Sequence, residues 1–201
     1  KVRHAAPMLS LEAAREEEAV AEFLRFLRRE TGRKQPALDL EPKFDGLSVE
    51  LVYRDGVFAY GATRGNGEVG EDISHNLRRI RSLPLRLQGA GPPSVLSVRG
   101  EVLMRRRGFV DLNRRRAERG RDAFANPRNA AAGMMRQLDP GQVDGRVLDV
   151  FFYEILDAEP EVPPDHRQVL ERFGQWGLQT SPLIETAEAL DDLRDYHARL
   201  A

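Results

Sequence analysis

The sequence predicts an α+β fold built on a largely antiparallel β-sheet, and two observations carry that prediction. Leu47, Val49, Leu51 and Tyr53 alternate with a period of two, and Asp55-Gly56 supplies a hairpin turn into Val57-Phe58-Ala59-Tyr60. Strand runs with hairpin turns are interleaved with separate helical segments, the element order of α+β proteins. The 201 residues, 41% of them hydrophobic, can bury one substantial core with a small appendage. No internal repeat or low-complexity linker divides the chain. One domain is therefore expected, with residues 1–35 as a helical lead-in and residues 36–201 as the core.

The elements follow in order. Ser10 is placed to cap a helix running to about Glu30, with Leu11, Ala14, Phe23, Leu24 and Leu27 as its apolar stripe and Gly32 just beyond its end. Residues 37–44 alternate as a strand, with Leu38, Leu40 and Phe44 on one face and Asp39, Glu41, Lys43 and Asp45 on the other. The hairpin 47–60 comes next, then a glycine-rich loop, Thr63 to Asp72, leading into a helix near Ile73 to Ile80. Short strand Leu83 to Leu87, a Gly/Pro loop at 89–93 and a longer strand Ser94 to Met104 follow. Helices are expected at Gly108 to Arg119 and after Asn126, with Pro127 near the first position. A buried strand at Val147 to Leu156 precedes a helix (Asp165 to Trp176), a strand (Thr180 to Ile184) and a last helix (Thr186 to Leu200).

Composition excludes several classes. No run approaches the length of a membrane helix, and no signal peptide is expected. The absence of cysteine rules out a disulfide framework and any thiolate metal site, and fits a cytoplasmic setting. The four histidines (His4, His75, His166 and His197) show no ligand spacing, so no histidine metal site is expected. The net charge of -1 conceals a basic middle with arginines at 78, 79, 81, 105–107, 114–116, 119, 121, 128 and 136. Such a stretch suits a phosphate-backbone partner, although composition alone favours solvated helix faces.

Lysine usage points to chemistry. Of 31 basic residues only Lys1, Lys34 and Lys43 are lysine. Arginine serves wherever charge alone matters, whereas a lysine amine can lose its proton and attack. Lys43 sits between carboxylates in Glu41-Pro42-Lys43-Phe44-Asp45-Gly46, which suits a nucleophile; a strand-end lysine in a surface ion pair is the alternative. In Arg64-Gly65-Asn66-Gly67 the glycines allow close backbone approach to a ligand and the arginine suits an anion, but the loop fits neither the P-loop nor the dinucleotide spacing. Taken alone it reads as a surface loop. Glu101, in mid-strand between Gly100 and Val102, must be paired or face a cleft, and either an arrangement with Arg99 or a ligand role satisfies that.

Six segments occur in one order: Pro7-Met8-Leu9-Ser10-Leu11, Glu41-x-Lys43-x-Asp45-Gly46-Leu47, Ala62-Thr63-Arg64-Gly65-Asn66-Gly67, Gly70-Glu71-Asp72, Val98-Arg99-Gly100-Glu101 and Phe124 to Gly133. Over nearly the whole chain they resemble the adenylation (nucleotidyltransferase) domain of bacterial NAD-dependent DNA ligases, and the asparagine–proline–arginine segment is specific to that family. The resemblance implies an ATP-grasp-like nucleotidyltransferase core with flanking helices. It implies that Lys43 attacks NAD, expels nicotinamide mononucleotide and carries AMP, with Asp45 orienting the lysine. It also implies that Glu41 reads the adenine amino group, Glu101 a ribose hydroxyl and Arg64 the ribose and phosphate, while Ser10 and Leu11 line the adenine side. NAD and Mg²⁺ are the implied cofactors. The implied partner is nicked duplex DNA, sealed in replication and repair by a cytoplasmic monomer.

The chain departs from the family pattern at Asn66, where aspartate is usual, and at Met134-Met135, where Ser-Leu is usual. It is expected to be a piece of a longer protein, lacking the subdomain that grips nicotinamide mononucleotide, the later D-G-V-V-x-K strand and the OB, zinc-finger, helix-hairpin-helix and BRCT regions. Such a piece is expected to be inactive in ligation by itself. Two other readings remain: a nucleotide- or DNA-binding module derived from this core, and an ATP-using lysine nucleotidyltransferase.

Overall fold

A computed structural model describes residues 1–14, 16–162 and 165–200. The chain packs as two compact units, one formed by Lys1–Met8 and Phe44–Thr180, the other by Leu9–Lys43 and Ser181–Ala201.

The first unit begins with β1 (Val2–Arg3). Its main sheet contains β3 (Leu47–Arg54), β4 (Val57–Thr63), β6 (Val95–Met104) and β7 (Leu148–Glu159), in the order β4-β3-β6-β7 with antiparallel pairing throughout. The β3–β4 hairpin turns at Asp55 and Gly56, both at positive φ (48° and 71°), as the Asp-Gly signal requires. β5 (Val69–Gly70) pairs antiparallel with β1 in a two-stranded sheet.

Register sorts the main sheet into two faces, because residues directly opposite each other share a face. Leu47–Val102, Val49–Gly100, Leu51–Val98 and Tyr53–Leu96 form the apolar face. On it α2 (Ser74–Leu77) reaches Gly61, where an added Cβ would lie 2.4 Å from Leu77 Cδ1, and α5 (His166–Gln175) sets Phe173 edge-on against Phe152 at 6.2 Å. The other face carries Ser48 opposite Glu101, Glu50 opposite Arg99 and Val52 opposite Ser97. A sheet with one apolar and one polar face places its core on the first and leaves the second for other work.

Two further helices complete this unit. α3 (Arg106–Glu118) presents its arginines largely to solvent. α4 (Pro127–Met135) starts as its sequence demands: Asn126 Oδ1 accepts the Asn129 amide at 2.8 Å and Pro127 takes the first turn, where its missing N–H costs nothing. Met134 and Met135 are both buried, so the methionines that replace the usual Ser-Leu act as core side chains.

In the second unit α1 (Glu17–Thr31) ends on Gly32 in the left-handed conformation, as expected. β2 (Leu38–Leu40) pairs antiparallel with β8 (Glu185–Ala187), and α6 (Leu190–Leu200) follows. Arg194 pairs with Glu17 and Arg199 with Glu185.

Six expectations are corrected. The first helix starts at Glu17, not Ser10: residues 10–14 are irregular, Leu11 is exposed, Arg15 lies outside the described residues, and the acidic pair Glu17-Glu18 meets the positive helix end instead. The strand at 37–44 stops at Leu40, since Pro42 has no N–H to continue a ladder. The helix expected over 73–80 shrinks to Ser74–Leu77. Leu83 to Leu87 forms no strand but an irregular stretch, buried only at Leu83 and Leu87, with one isolated bridge, Val57–Arg86; Pro84 interrupts it and gives its carbonyl to the Tyr53 hydroxyl at 3.0 Å. The strand expected at 180–184 is displaced to Glu185–Ala187, beyond Pro182, and the last helix starts at Leu190 rather than Thr186.

Candidate active site

Glu101 lies in mid-β6 on the polar face and is half-buried. It accepts the Gly46 amide at 3.3 Å and, at 3.4 Å, the hydroxyl of Tyr153. Tyr153 shares this face with Phe151, which lies two residues before it and opposite Glu101, and a bulge at Tyr153 brings Glu154 opposite Arg99. Burial pushes the Tyr153 phenol up from its ordinary range, a bond with Ser48 opposes this and the Glu101 charge adds to it. The phenol therefore stays protonated and donates. Arg99 bonds Glu154 at 3.1 Å and lies over the Tyr153 ring at 5.6 Å.

Arg64 follows β4. Its amide donates to Ser48 O at 2.9 Å, which ties it to the row opposite Glu101, and the Gly67 amide returns to Arg64 O at 2.9 Å to close a turn. Gly65 has φ +56°, and a Cβ there would lie 2.0 Å from Val69 O, so only glycine fits. Asn66 Oδ1 accepts the amides of Glu68 (3.0 Å) and Val69 (2.9 Å). An aspartate oxygen would make the same two bonds, so this departure from the family pattern keeps the loop closed. The loop is also tied to the N-terminal strand, His4 N to Glu68 O and Met8 N to Gly67 O, each at 2.9 Å. The loop is exposed at Gly65, Asn66 and Glu68 and is held in place by these bonds.

Asp45 is exposed and accepts from Arg128 of α4 at 3.1 Å. Beside it, Phe44 packs on Phe151 with ring centroids 4.8 Å apart. Gly46 then passes so close to β6 that a Cβ would lie 2.3 Å from Val102 O. Lys43 is the residue immediately before this pinned stretch, and its side chain is exposed. It belongs to the second unit with Glu41, which is half-buried, and with Ser10 and Leu11, which are exposed on irregular chain. The structure thus gathers Glu101 and Arg64 on one sheet face of the first unit, with Asp45 next to the Gly46 that bonds Glu101. Ser10 is not the helix cap it resembles.

Sequence reasoning assigned no role to Tyr153, Ser48 or Arg128, and found no link between His4 and Glu50, which are 46 positions apart. Arg128 stood in a quoted motif, and the alternation of Phe151 and Tyr153 along one strand face was the signal available for Tyr153. Among the described residues no three His, Cys, Asp or Glu side chains gather to hold a metal ion, and no helix is long and apolar enough to cross a membrane.

Residues 1–201 match the family described as the NAD-dependent DNA ligase adenylation domain. Curated relatives agree. A DNA ligase of Haloferax volcanii is 49% identical over 201 residues, covering 99% of this chain and 28% of its own length. One of Salinibacter ruber is 47% identical (99% of this chain, 29% of its own length), and one of Nitrosococcus oceani 45% identical (100% and 30%). The chain belongs to the NAD-dependent DNA ligase adenylation domain family, and it spans under a third of the length of these relatives.

Proposed function

We propose that this chain is the part of an NAD-dependent DNA ligase in which Lys43 receives AMP, and that the whole protein, a cytoplasmic monomer, seals nicked duplex DNA. The observation that carries the reading is the pinned segment Phe44-Asp45-Gly46 directly after a lysine, held to a polar sheet face that bears Glu101 and the Arg64 loop. The donor set suits an adenosine phosphate: a half-buried carboxylate is an acceptor for a ribose hydroxyl, and a guanidinium on a fixed turn is a cation for the phosphate.

In this reading Glu101 accepts a ribose hydroxyl, Arg64 faces ribose and phosphate, Glu41 accepts from the adenine amino group, and Ser10 and Leu11 line the base. Lys43 gives up one proton and its amine forms a P–N bond to the adenylyl phosphorus. The P–O bond to nicotinamide mononucleotide breaks, and that phosphate leaves with the electron pair. Asp45, which Arg128 holds at 3.1 Å, orients the lysine. Mg²⁺ would supply charge neutralisation at the phosphates; it is commonly held by one or two carboxylates plus the substrate itself.

Incubating the full-length protein with labelled NAD or labelled ATP tests this. Label retained from NAD alone is the expected result. Label from ATP would favour an ATP-using lysine transferase, and no label from either would favour a binding module.

A further inference from the structure

Glu50 is a fully buried carboxylate on the polar face of the sheet, and nothing in the proposed chemistry uses it. Three donors hold it: Ser97 Oγ at 2.6 Å, the Ala5 amide at 3.1 Å and His4 Nδ1 at 2.5 Å. The His4 side chain is equally buried, and its other nitrogen, Nε2, lies 3.0 Å from the backbone carbonyl of Arg64. A carbonyl oxygen only accepts, so Nε2 carries a proton, and one further proton sits between Nδ1 and the carboxylate. Arg64 O already accepts the Gly67 amide that closes the turn, and His4 takes its second lone pair. With its amide on Ser48 and its carbonyl on His4, the Arg64 backbone is fixed at both ends. The direction of its Cα–Cβ bond is fixed with it.

We propose that His4, braced by Glu50, is a positioning residue that aims the Arg64 side chain; the inference rests on the reading of Arg64 as a nucleotide-binding residue. A buried carboxylate demands partners wherever it sits. What singles out this one is that its brace ends on the residue expected to meet the phosphate.

The two ring nitrogens separate this role from plain stability. The amide nitrogen of glutamine can stand where Nε2 stands, and that of asparagine where Nδ1 stands. In the full-length protein, the single-turnover adenylation rate from NAD is expected to stay within about threefold for His4→Gln and to fall about tenfold for His4→Asn, the loss of one good hydrogen bond. Added to Arg64→Ala, His4→Asn is expected to cause no further fall. Equal rates for the two His4 variants at similar melting temperatures, or a full further loss in the Arg64→Ala background, would overturn the proposal. Should His4→Asn not fold, Glu50→Gln decides. Its amide can donate to an unprotonated Nδ1 and leave Nε2–H on Arg64, so adenylation stays within about threefold, and a tenfold loss in the folded variant overturns the proposal. Wild-type adenylation by Arg64→Ala alone overturns the nucleotide reading of Arg64 instead, and the proposal with it.

Discussion

Gly46→Ala is expected to slow adenylation about 100-fold in a protein that still folds. The added methyl would lie 2.3 Å from Val102 O, 2.6 Å from Leu103 Cδ2 and 3.0 Å from Glu101 Cγ. A carbon–oxygen contact relaxes at about 3.3–3.6 Å, so the chain must yield by roughly 1 Å. β6 is paired on both sides, with β3 and β7, and stays in place. The segment that moves is therefore the one carrying Lys43 and Asp45. Overpacking of this size costs about 1–3 kcal/mol of stability, whereas a misplacement of roughly 1 Å at a reacting group costs about 100-fold in rate. The assay is single-turnover adenylation from NAD by the full-length protein, beside urea unfolding of the same preparation. Adenylation at the wild-type rate in this variant would refute the reasoning, because Lys43 would then not depend on the close passage of Gly46.

Glu101→Ala is expected to weaken AMP binding by about 1–3 kcal/mol, the loss of a hydrogen bond to a charged group, with the fold retained. Calorimetric titration checks this, and unchanged affinity with a large fall in melting temperature would make Glu101 structural. Asp72 gives a pH prediction. Burial opposes its charge, but bonds from the Ser74 hydroxyl (2.5 Å) and amide (2.9 Å) hold its carboxyl below the usual range. Its contribution to stability is therefore present above the unfolded carboxylate value near pH 4 and is lost as pH falls through the lower folded value. Asp72→Asn is expected to flatten the acid side of the stability curve below about pH 4, measured by urea midpoints, and an unchanged slope would contradict it.

The fold was legible wherever one local rule acted alone. The β3–β4 hairpin followed from period-two alternation and an Asp-Gly turn, and the starts of α4 and α5 followed from Asn126-Pro127 and Asp165. Where two rules competed, the apolar pattern misled. Leu83 and Leu87 are buried as a strand would bury them, yet Pro84 removes a donor and the segment turns instead. Ser10 has the chemistry of a helix cap, but the first helical turn forms where Glu17 and Glu18 meet the helix dipole. β1 and β5 are two residues each and had no periodic signal to read. In the site, Lys43 stood out through arginine bias and Glu101 through a charge in an apolar strand. The bulge that brings Glu154 opposite Arg99 and the His4–Glu50 brace are products of register and long-range pairing, which no local pattern encodes.

The most direct test of the account is the site of AMP attachment. After incubation of the full-length protein with NAD and Mg²⁺, mass spectrometry of peptides kept at neutral to alkaline pH is expected to place an acid-labile AMP on Lys43. Lys43→Arg, which keeps the charge but not the removable proton, is expected to form none. An adduct on another residue, or an adduct in the arginine variant, would contradict the account.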